Sequence, residues 1–538
     1  MSSAGDPGLQ PAAAAPSSWS ALRYKSFRVL YSAWVGACLC MFTNDVASAW
    51  LMTSLTTSPV MIALVQTAAT LPIFLLGLPS GALADILDRR RLLIFTQSWG
   101  VVVASALFAT AITGHVTPVL LLLLVFANGL VLAIRWPAFS ALIPELVPVA
   151  EIPTASALSG IANNGSRIAG PLIAGLIIAS AGVSWVFAFT ALVSAVSAAL
   201  LISWSYSRKR SALPGERIAG AIRVGIQHVR QTPVLQRVMI RVFAFFFNSI
   251  GLIALLPLVA KQLGGSDANT FTLLMSSMGA GAVSAALALP RASRRWAQDV
   301  RYAAGTLIFA AGAALAALAE HRPVAMIALF FAGGAWMITA NTLMVTATMA
   351  LPDWVRARGL SIIQMAMMGA SASGAAIWGY AAKMTGVPAT LVMTALAGPL
   401  VLLLTRKTRI GSGAPEDLAP AGVWEMPPIA VPIDPEHGPV LVMVEYRIDP
   451  ARTSEFLELM RESRRVWLAH GLHSWSLFSD VTQEGRHVEH FIDESWASYL
   501  RRNERIAASY VPLRERKWAM HIGPDTPAIT RYIAREVG

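Results

Sequence analysis

Through the first three quarters of the chain, apolar residues run unbroken for about twenty positions at a time, enough for a helix to cross a hydrocarbon core of roughly 30 Å. Gly, Pro and charged residues separate twelve such windows, at 28–51, 60–84, 92–112, 118–142, 158–180, 183–204, 238–260, 270–290, 302–319, 323–350, 360–382 and 387–405. Beyond residue 408 the pattern changes. Residues 408–437 hold GSGAP, PAG and PP and read as a linker. Then VLVMVEYRI (440–448) alternates as a strand does, and 451–470 puts Phe456, Leu459, Met460, Val466 and Trp467 on one helical face. HSWSLFSD and RHVEHFIDES form a hairpin pattern, and 496–510 reads as a second amphipathic helix. That order predicts a small ferredoxin-like α+β domain.

The expected architecture is an all-α membrane protein of twelve transmembrane helices in two six-helix repeats, with the small α+β unit at the C-terminus. The predicted boundaries are a disordered tail over 1–22, a first half over 23–204, a cytoplasmic connection over 205–237 and a second half over 238–407. The linker follows over 408–437, the α+β domain over 438–525 and a short tail over 526–538. The halves repeat at an offset of 204 residues: Gly165, Gly170, Gly175 and Gly182 are spaced as Gly369, Gly374, Gly379 and Gly386. On the same offset Asn44 meets Asn248, Gly77 meets Gly281, and Gly129 meets Gly333. A duplicated six-helix unit is the architecture of carriers that rock two halves about a midplane site.

Composition excludes a water-soluble enzyme for most of the length: 55% of residues are hydrophobic, 13% are charged, and mean hydropathy is +0.57. Charge divides the chain at the same place, with 28 Lys and Arg against 11 Asp and Glu in residues 1–409, and 14 against 19 in 410–538. With the N-terminus inside, the inner connections carry 23 basic residues and the outer loops only Lys261, Arg322 and Lys383. That asymmetry predicts a multi-pass protein of the inner (plasma) membrane with both termini cytoplasmic, and it accounts for the basic balance without nucleic acid. The only cysteines, Cys38 and Cys40, sit together in the first window and make no disulfide framework. The segment 1–20 lacks the basic start and apolar centre of a signal peptide. His487 and His490, three apart in a strand, point to opposite faces and make a poor metal pair, so no metal site is expected. No phosphate-binding G-x-x-x-x-G-K-[ST] loop is present, so no nucleotide or other cofactor is expected.

Asp45, Arg135 and Arg167 lie within spans, where a charge costs a few kcal/mol and usually faces a cavity or a partner. Asp45 lies about 25 Å into a helix that starts inside, whereas both arginines lie in the inner half, so Asp45 is not expected to pair with either. Asp45 is a candidate proton site, because burial raises a carboxyl pKa toward the working range. Two arginines without a buried acid suggest an anionic solute, with pairing to Glu145 or to helix carbonyls as the plainer use. Asn44 is a candidate lining residue. Phe42, Trp136 and Phe245–Phe247 are expected to pack rather than to bind.

GALADILDRRR (81–91) resembles the loop signature of the major facilitator superfamily, G-x-L-A-D-x-x-G-R-R, with Asp88 in place of the second glycine. The resemblance implies that Asp85, one turn beyond Gly81, docks at the start of the eleventh span near Gly359, beside Arg358. It also implies that Arg89 or Arg90 pairs with Glu145 at the end of the fourth span. GSRIAGPLIAG (165–175) resembles the superfamily's antiporter signature and implies a hinge at Gly165, Gly170, Pro171 and Gly175, and outward transport. Together with LIPELVPVAEIPTASAL, RQTPVLQRV and ALPDWVRARGLSI, these segments resemble the transmembrane secretion effector branch, which contains the enterobactin exporter. The C-terminal pattern, with WSLFSD, EHF and ESW, resembles antibiotic-biosynthesis monooxygenase-like domains, which pair; self-association is therefore a candidate role ahead of catalysis. The expected function is proton-coupled export of a small organic solute, siderophore-like or drug-like, by alternating access, powered by the proton gradient. A proton-symport importer and a membrane anchor presenting the C-terminal domain are the alternatives.

Overall fold

The structure is a computed structural model and describes residues 19–204, 218–264, 268–406, 432–506 and 508–535. Six helices form a first group: α1 (Lys25–Leu55), α2 (Pro59–Ile86), α3 (Arg89–Ile112), α4 (Pro118–Leu146), α5 (Ile152–Ala181) and α6 (Val183–Ser203). A short helix α7 (Ile218–Gln231) precedes a second group: α8 (Pro233–Gly264), α9 (Ala268–Arg295), α10 (Gln298–Ala317), α11 (Arg322–Met349), α12 (Asp353–Thr385) and α13 (Val387–Thr405). Eleven of the described helices are long and apolar enough to cross a membrane; α5, thirty residues long and interrupted by Asn163, Asn164 and Arg167, packs among them against α1, α6 and α9. Leu176, Leu192, Leu287 and Leu404 stand exposed on the bundle, which in water would be a liability and in lipid is a solvated surface.

Local chemistry sets the breaks between helices. Thr117 accepts the Leu120 N–H at 3.2 Å with Pro118 following it, a helix start that satisfies a free donor where Pro has none to offer. Asp88, the departure from the loop signature, accepts the Arg91 N–H at 3.0 Å and caps α3. Gly182 and Gly386 turn α5 into α6 and α12 into α13 with φ of +96° and +84°, a backbone region that a side chain disfavours. They are partners on the 204-residue offset, and the packing repeats with them: α1 with α5, α2 with α4 and α3 with α6 recur as α8 with α12, α9 with α11 and α10 with α13.

The C-terminal unit comprises β1 (Val440–Arg447), α14 (Thr453–Ala469), β2 (Ser474–Ser479), β3 (Arg486–Asp493), α15 (Trp496–Arg505), α16 (Val511–Ala519) and β4 (Ala528–Ile533). Its antiparallel sheet runs β2-β3-β1-β4. The inward face of β1, with Val440, Val442, Val444 and Tyr446, packs on Phe456, Met460 and Trp467 of α14. Three boundaries depart from the sequence reading. Residues 528–533, expected as tail, pair with β1 because strand alternation there supplies Ile529 and Ile533 to the core. The helix expected over 496–510 ends at Arg505, Ala508–Tyr510 is a 3-10 turn, and a further helix, α16, follows beyond the expected end. The end of the expected linker joins the unit, where Ile433 packs on the core and His437 O accepts the Trp496 N–H at 2.8 Å. In the membrane part α5 starts at Ile152 and α8 at Pro233, before the expected 158 and 238. The disordered tail expected over 1–22 lies largely outside the described residues, as do the first part of the 205–237 connection and most of the 408–437 linker.

By connectivity the N-terminus, α7 and the C-terminal unit lie on one face of the bundle, hereafter the terminal face. At the opposite face the two halves are sealed: Trp50 of α1 stacks on Phe271 of α9 at 5.6 Å, Lys261 Nζ donates to Thr53 O, and Gly175 and Gly379 touch Thr272 and Ala63 of the other half. Nearer the terminal face along α5, a Cβ on Gly165 or Gly160 would meet open space.

Candidate transport site

α1 and α5 approach closely at Gly170, where a Cβ would lie 2.6 Å from Phe42 Cβ. Only a residue without a side chain allows that distance, and it brings Arg167, one turn earlier, over the Phe42 ring. The Arg167 guanidinium lies 5.4 Å from the Phe42 centroid and 4.4 Å from that of Trp336 on α11, so it bridges the two halves through cation–π contacts. Trp336 is itself held edge-on by Phe246 of α8 at 5.7 Å. Asp45, one turn beyond Phe42 on α1, is near enough to Arg167 for the two charges to act on each other, without an ion-pair contact.

No ion-pair contact between Asp45 and Arg167 is present among the described residues, so the expectation that Asp45 does not pair with either arginine is not overturned. Arg167 and Asp45 place opposite charges in one region of the protein, which weakens the argument for an anionic solute at Arg167. Buried polar atoms on these helices and on α8 have no hydrogen-bond partner: Arg167 Nε, Asn44 Oδ1, Trp336 Nε1 and, at the position equivalent to Asn44, Asn248 Oδ1. In a low-dielectric interior such atoms are costly unless water or a solute meets them.

Arg135 lies elsewhere. Its Nη2 donates to Thr96 O at 3.3 Å, and its charge sits near Cys38 and Cys40, inside the first half among α1, α3 and α6. Arg89 Nη1 pairs with Glu145 and donates to Ala141 O at 3.0 Å, joining the start of α3 to the end of α4. Arg90 takes another partner, donating to Leu201 O at 3.0 Å and Ile202 O at 2.7 Å at the last turn of α6, where free carbonyls attract a cation. Gly81 and Asp85 lie outside the described residues at side-chain level. α2 and α12 meet just above them, where Gly77 faces Met365 and Gly369 faces Phe74. Arg358 lies against Gly225 of α7. Pro171 is buried within an unbroken α5. Trp336 escaped the sequence reading because one aromatic in an apolar window carries no signal; Phe42, assigned there to packing, stands under Arg167.

A sequence profile described as transmembrane secretion effector matches residues 16–537. The chain belongs to this family, within the major facilitator superfamily. An uncharacterized MFS-type transporter of Bacillus subtilis, YfiS, is 26% identical over 365 residues, 66% of this chain and 85% of its own length. The Staphyloferrin A transporter of Staphylococcus aureus is 22% identical over 344 residues, 63% of this chain and 83% of its own. Among solved structures, a bacterial homologue of the human lysosomal transporter Spinster, inward-facing and occupied, superposes with a TM-score of 0.58 at 14% identity, covering 73% of this chain and 99% of that one. The nucleoside transporter NupG does so with 0.57 at 12%, covering 71% and 99%. These likenesses establish the fold. The protein is a multi-pass membrane transporter, and its family match extends through the C-terminal unit.

Proposed function

We propose that this protein is a proton-coupled exporter of a small organic solute, working by alternating access in the plasma membrane with both termini cytoplasmic and α5 as a twelfth span. The observation that carries the reading is Arg167 held between aromatic rings of the two halves, with Asp45 near enough for the charges to interact and with unpartnered polar atoms on the same helices and on α8. The site opens toward the terminal face, which on this orientation is the cytoplasm. A solute entering from there places an apolar or aromatic face on Trp336 and Phe42 and meets Arg167 and Asp45 with its polar groups. The halves then rock about the midplane. A proton taken by Asp45 removes the acceptor, releases the solute and resets the carrier, so proton and solute alternate at one carboxylate. The antiporter-like GSRIAGPLIAG segment supports outward transport, and the likeness to the Staphyloferrin A transporter supports a siderophore-like solute alongside drug-like ones. The C-terminal unit, with its β2-β3-β1-β4 order, is a ferredoxin-like domain in an accessory role.

The opposite charges of Asp45 and Arg167 favour a second reading for one solute class. A purely anionic solute binds Arg167 only once Asp45 is neutral, so its proton travels with it, and the coupling becomes symport. The test uses everted vesicles with an acid interior and a panel of labelled catecholate siderophores and amphipathic drugs. Uptake that an ionophore collapses, and that Asp45→Asn and Asp85→Asn lose, supports the exporter. Uptake driven only by an alkaline interior supports symport, and gradient-independent behaviour of every compound rejects both.

A further inference from the structure

The C-terminal unit does not hang free of the membrane part. Four successive groups on α7 engage it. His228 Nδ1 donates to Ala469 O at 2.8 Å, Gln227 Nε2 donates to Leu472 O at 3.0 Å, Val224 packs on Gly471, and Arg223 pairs with Glu494 at 2.8 Å while touching His473. The fit at Gly471 is specific: its φ is +88°, and an added Cβ would fall within 2.9 Å of both Val224 methyls. Behind this contact stands Trp354, in the first turn of α12. It lies edge-on to His228 at 5.5 Å and stacked with His470 at 6.0 Å, so one ring of the membrane part is gripped between α7 and the C-terminal unit. α7 in turn rests on α12, where a Cβ on Gly225 would lie 3.1 Å from Arg358 Cβ.

The place of this grip gives it a consequence. α12 is the helix that packs along α2 of the other half, through Gly77 and Met365, Gly369 and Phe74, and Gly379 and Ala63. Any rocking that closes the terminal face moves the start of α12 relative to α2. A unit fastened both to that start and to the helix connecting the halves is strained or released by the same motion. We propose that the C-terminal unit is an intramolecular brace, docked through Arg223, Val224, Gln227 and His228 of α7 and Trp354 of α12, that holds the carrier open toward the terminal face. Undocking from α7 permits the opposite face to open. A brace of this kind couples anything that binds or modifies the C-terminal unit to the carrier's conformation, because the docked and undocked states differ in which face is open.

The proposal rests on the alternating-access reading for its meaning, but its test needs no solute and no gradient. In full-length protein with Cys38 and Cys40 replaced by alanine, Thr53→Cys places a thiol at a site only 2% exposed under the seal of the opposite face. Its rate of modification by a membrane-impermeant maleimide reports opening of that face. Glu494→Arg sets two arginines against each other at α7 and is expected to raise the rate at least about fivefold, the lower range of coupling between sites. Adding Arg223→Glu to Glu494→Arg restores the pair with reversed sign and is expected to return the rate to the starting value. In parallel, thiols at positions 223 and 473 joined by a reducible bifunctional reagent are expected to suppress Thr53→Cys modification until the linker is cleaved. Unchanged modification in the Glu494→Arg variant, with the distance between labels on α7 and α14 visibly lengthened, overturns the brace. Loss of modification differences in the double variant alone, through misfolding, is separated by the cross-linking arm, in which those two charge reversals are absent. Failure of the transport reading appears instead as absence of gradient-driven uptake with the docking response intact.

Discussion

Buried charge is handled in opposite ways in the two parts of this chain. In the C-terminal unit Lys517 Nζ pairs with Glu489 at 2.9 Å, and Ser463, Trp475 and Tyr446 complete the shell with bonds of 2.8 to 3.2 Å. Burial pushes the Glu489 carboxyl up, but the Lys517 ammonium and the Trp475 and Tyr446 hydrogen bonds pull it further down, below the ordinary carboxylate range; burial pulls Lys517 down, and Glu489 returns it well above its ordinary value. Arg502 and Asp493 form a second buried pair with a forked contact at 2.8 to 3.2 Å. Between the membrane halves, Asp45 and Arg167 interact while Asn44, Asn248, Trp336 and Arg167 itself leave polar atoms unmet. A network whose members are nearly all paired holds a fold in one arrangement. One that is left partly open holds a place for a solute, and the cost of leaving it open is recovered when the solute arrives.

Variants can break that contrast. Lys517→Met leaves Glu489 charged and alone in the core and is expected to destabilise the C-terminal unit by about 3–5 kcal/mol, read by denaturant unfolding of the full chain. Lys517→Met with Glu489→Leu is expected to recover only part of it, since the lone buried charge is gone but Tyr446, Trp475 and Ser463 lose their shared acceptor. Arg167→Ala removes the cation held by Phe42 and Trp336 and is expected to lower gradient-driven uptake roughly 100-fold while leaving thermal unfolding near the wild type, because no ion-pair contact is lost. If unfolding shifts as far as in Lys517→Met, the two networks are of one kind and the contrast fails. Trp336→Ala, worth about 0.5–2 kcal/mol of cation–π attraction, is expected to weaken apparent solute affinity about 3- to 30-fold without reversing the coupling. Smallest is the effect of pH on docking. Burial holds His228 below its ordinary value, with the Ala469 carbonyl acting against that. The docked state therefore binds fewer protons than the undocked one. Docking is complete above the ordinary histidine pKa and weakens as pH falls toward the docked value. Arg223, His470, His473 and Glu494 face the same junction, so His228→Gln is the control: the distance between labels on α7 and α14 is expected to lose its acid response in that variant.

Much of the helical layout was legible along the chain. Apolar windows mark where helices run, Thr117 and Asp88 stop or start them, and the paired glycines Gly182 and Gly386 announce the duplication before any contact is known. The site was legible in its ingredients and not in its assembly. Asp45, Arg167 and Asn44 draw notice because ionisable and amide groups are rare in an apolar helix. Their neighbours were not legible, because hydropathy does not assign the six residues by which α5 extends past its apolar window or say which ring a buried cation will meet. β4 was missed for a related reason: six residues of alternating pattern weigh little until a neighbouring strand such as β1 is there to pair with.

Sequence alone thus determined the membrane class, the repeat and the identity of the charged residues within spans, because each follows from regularities read a few residues at a time: the period of apolar positions, a cap, a glycine. Tertiary structure decided what those charges face. It set Arg167 of α5 over Phe42 of α1 and Trp336 of the other half, sent Arg135 into the first half, and seated the C-terminal unit on α7 and Trp354. These are contacts between residues tens to hundreds of positions apart. They depend on how far one helix slides along another, and a glycine such as Gly170 permits that approach without specifying what it will meet.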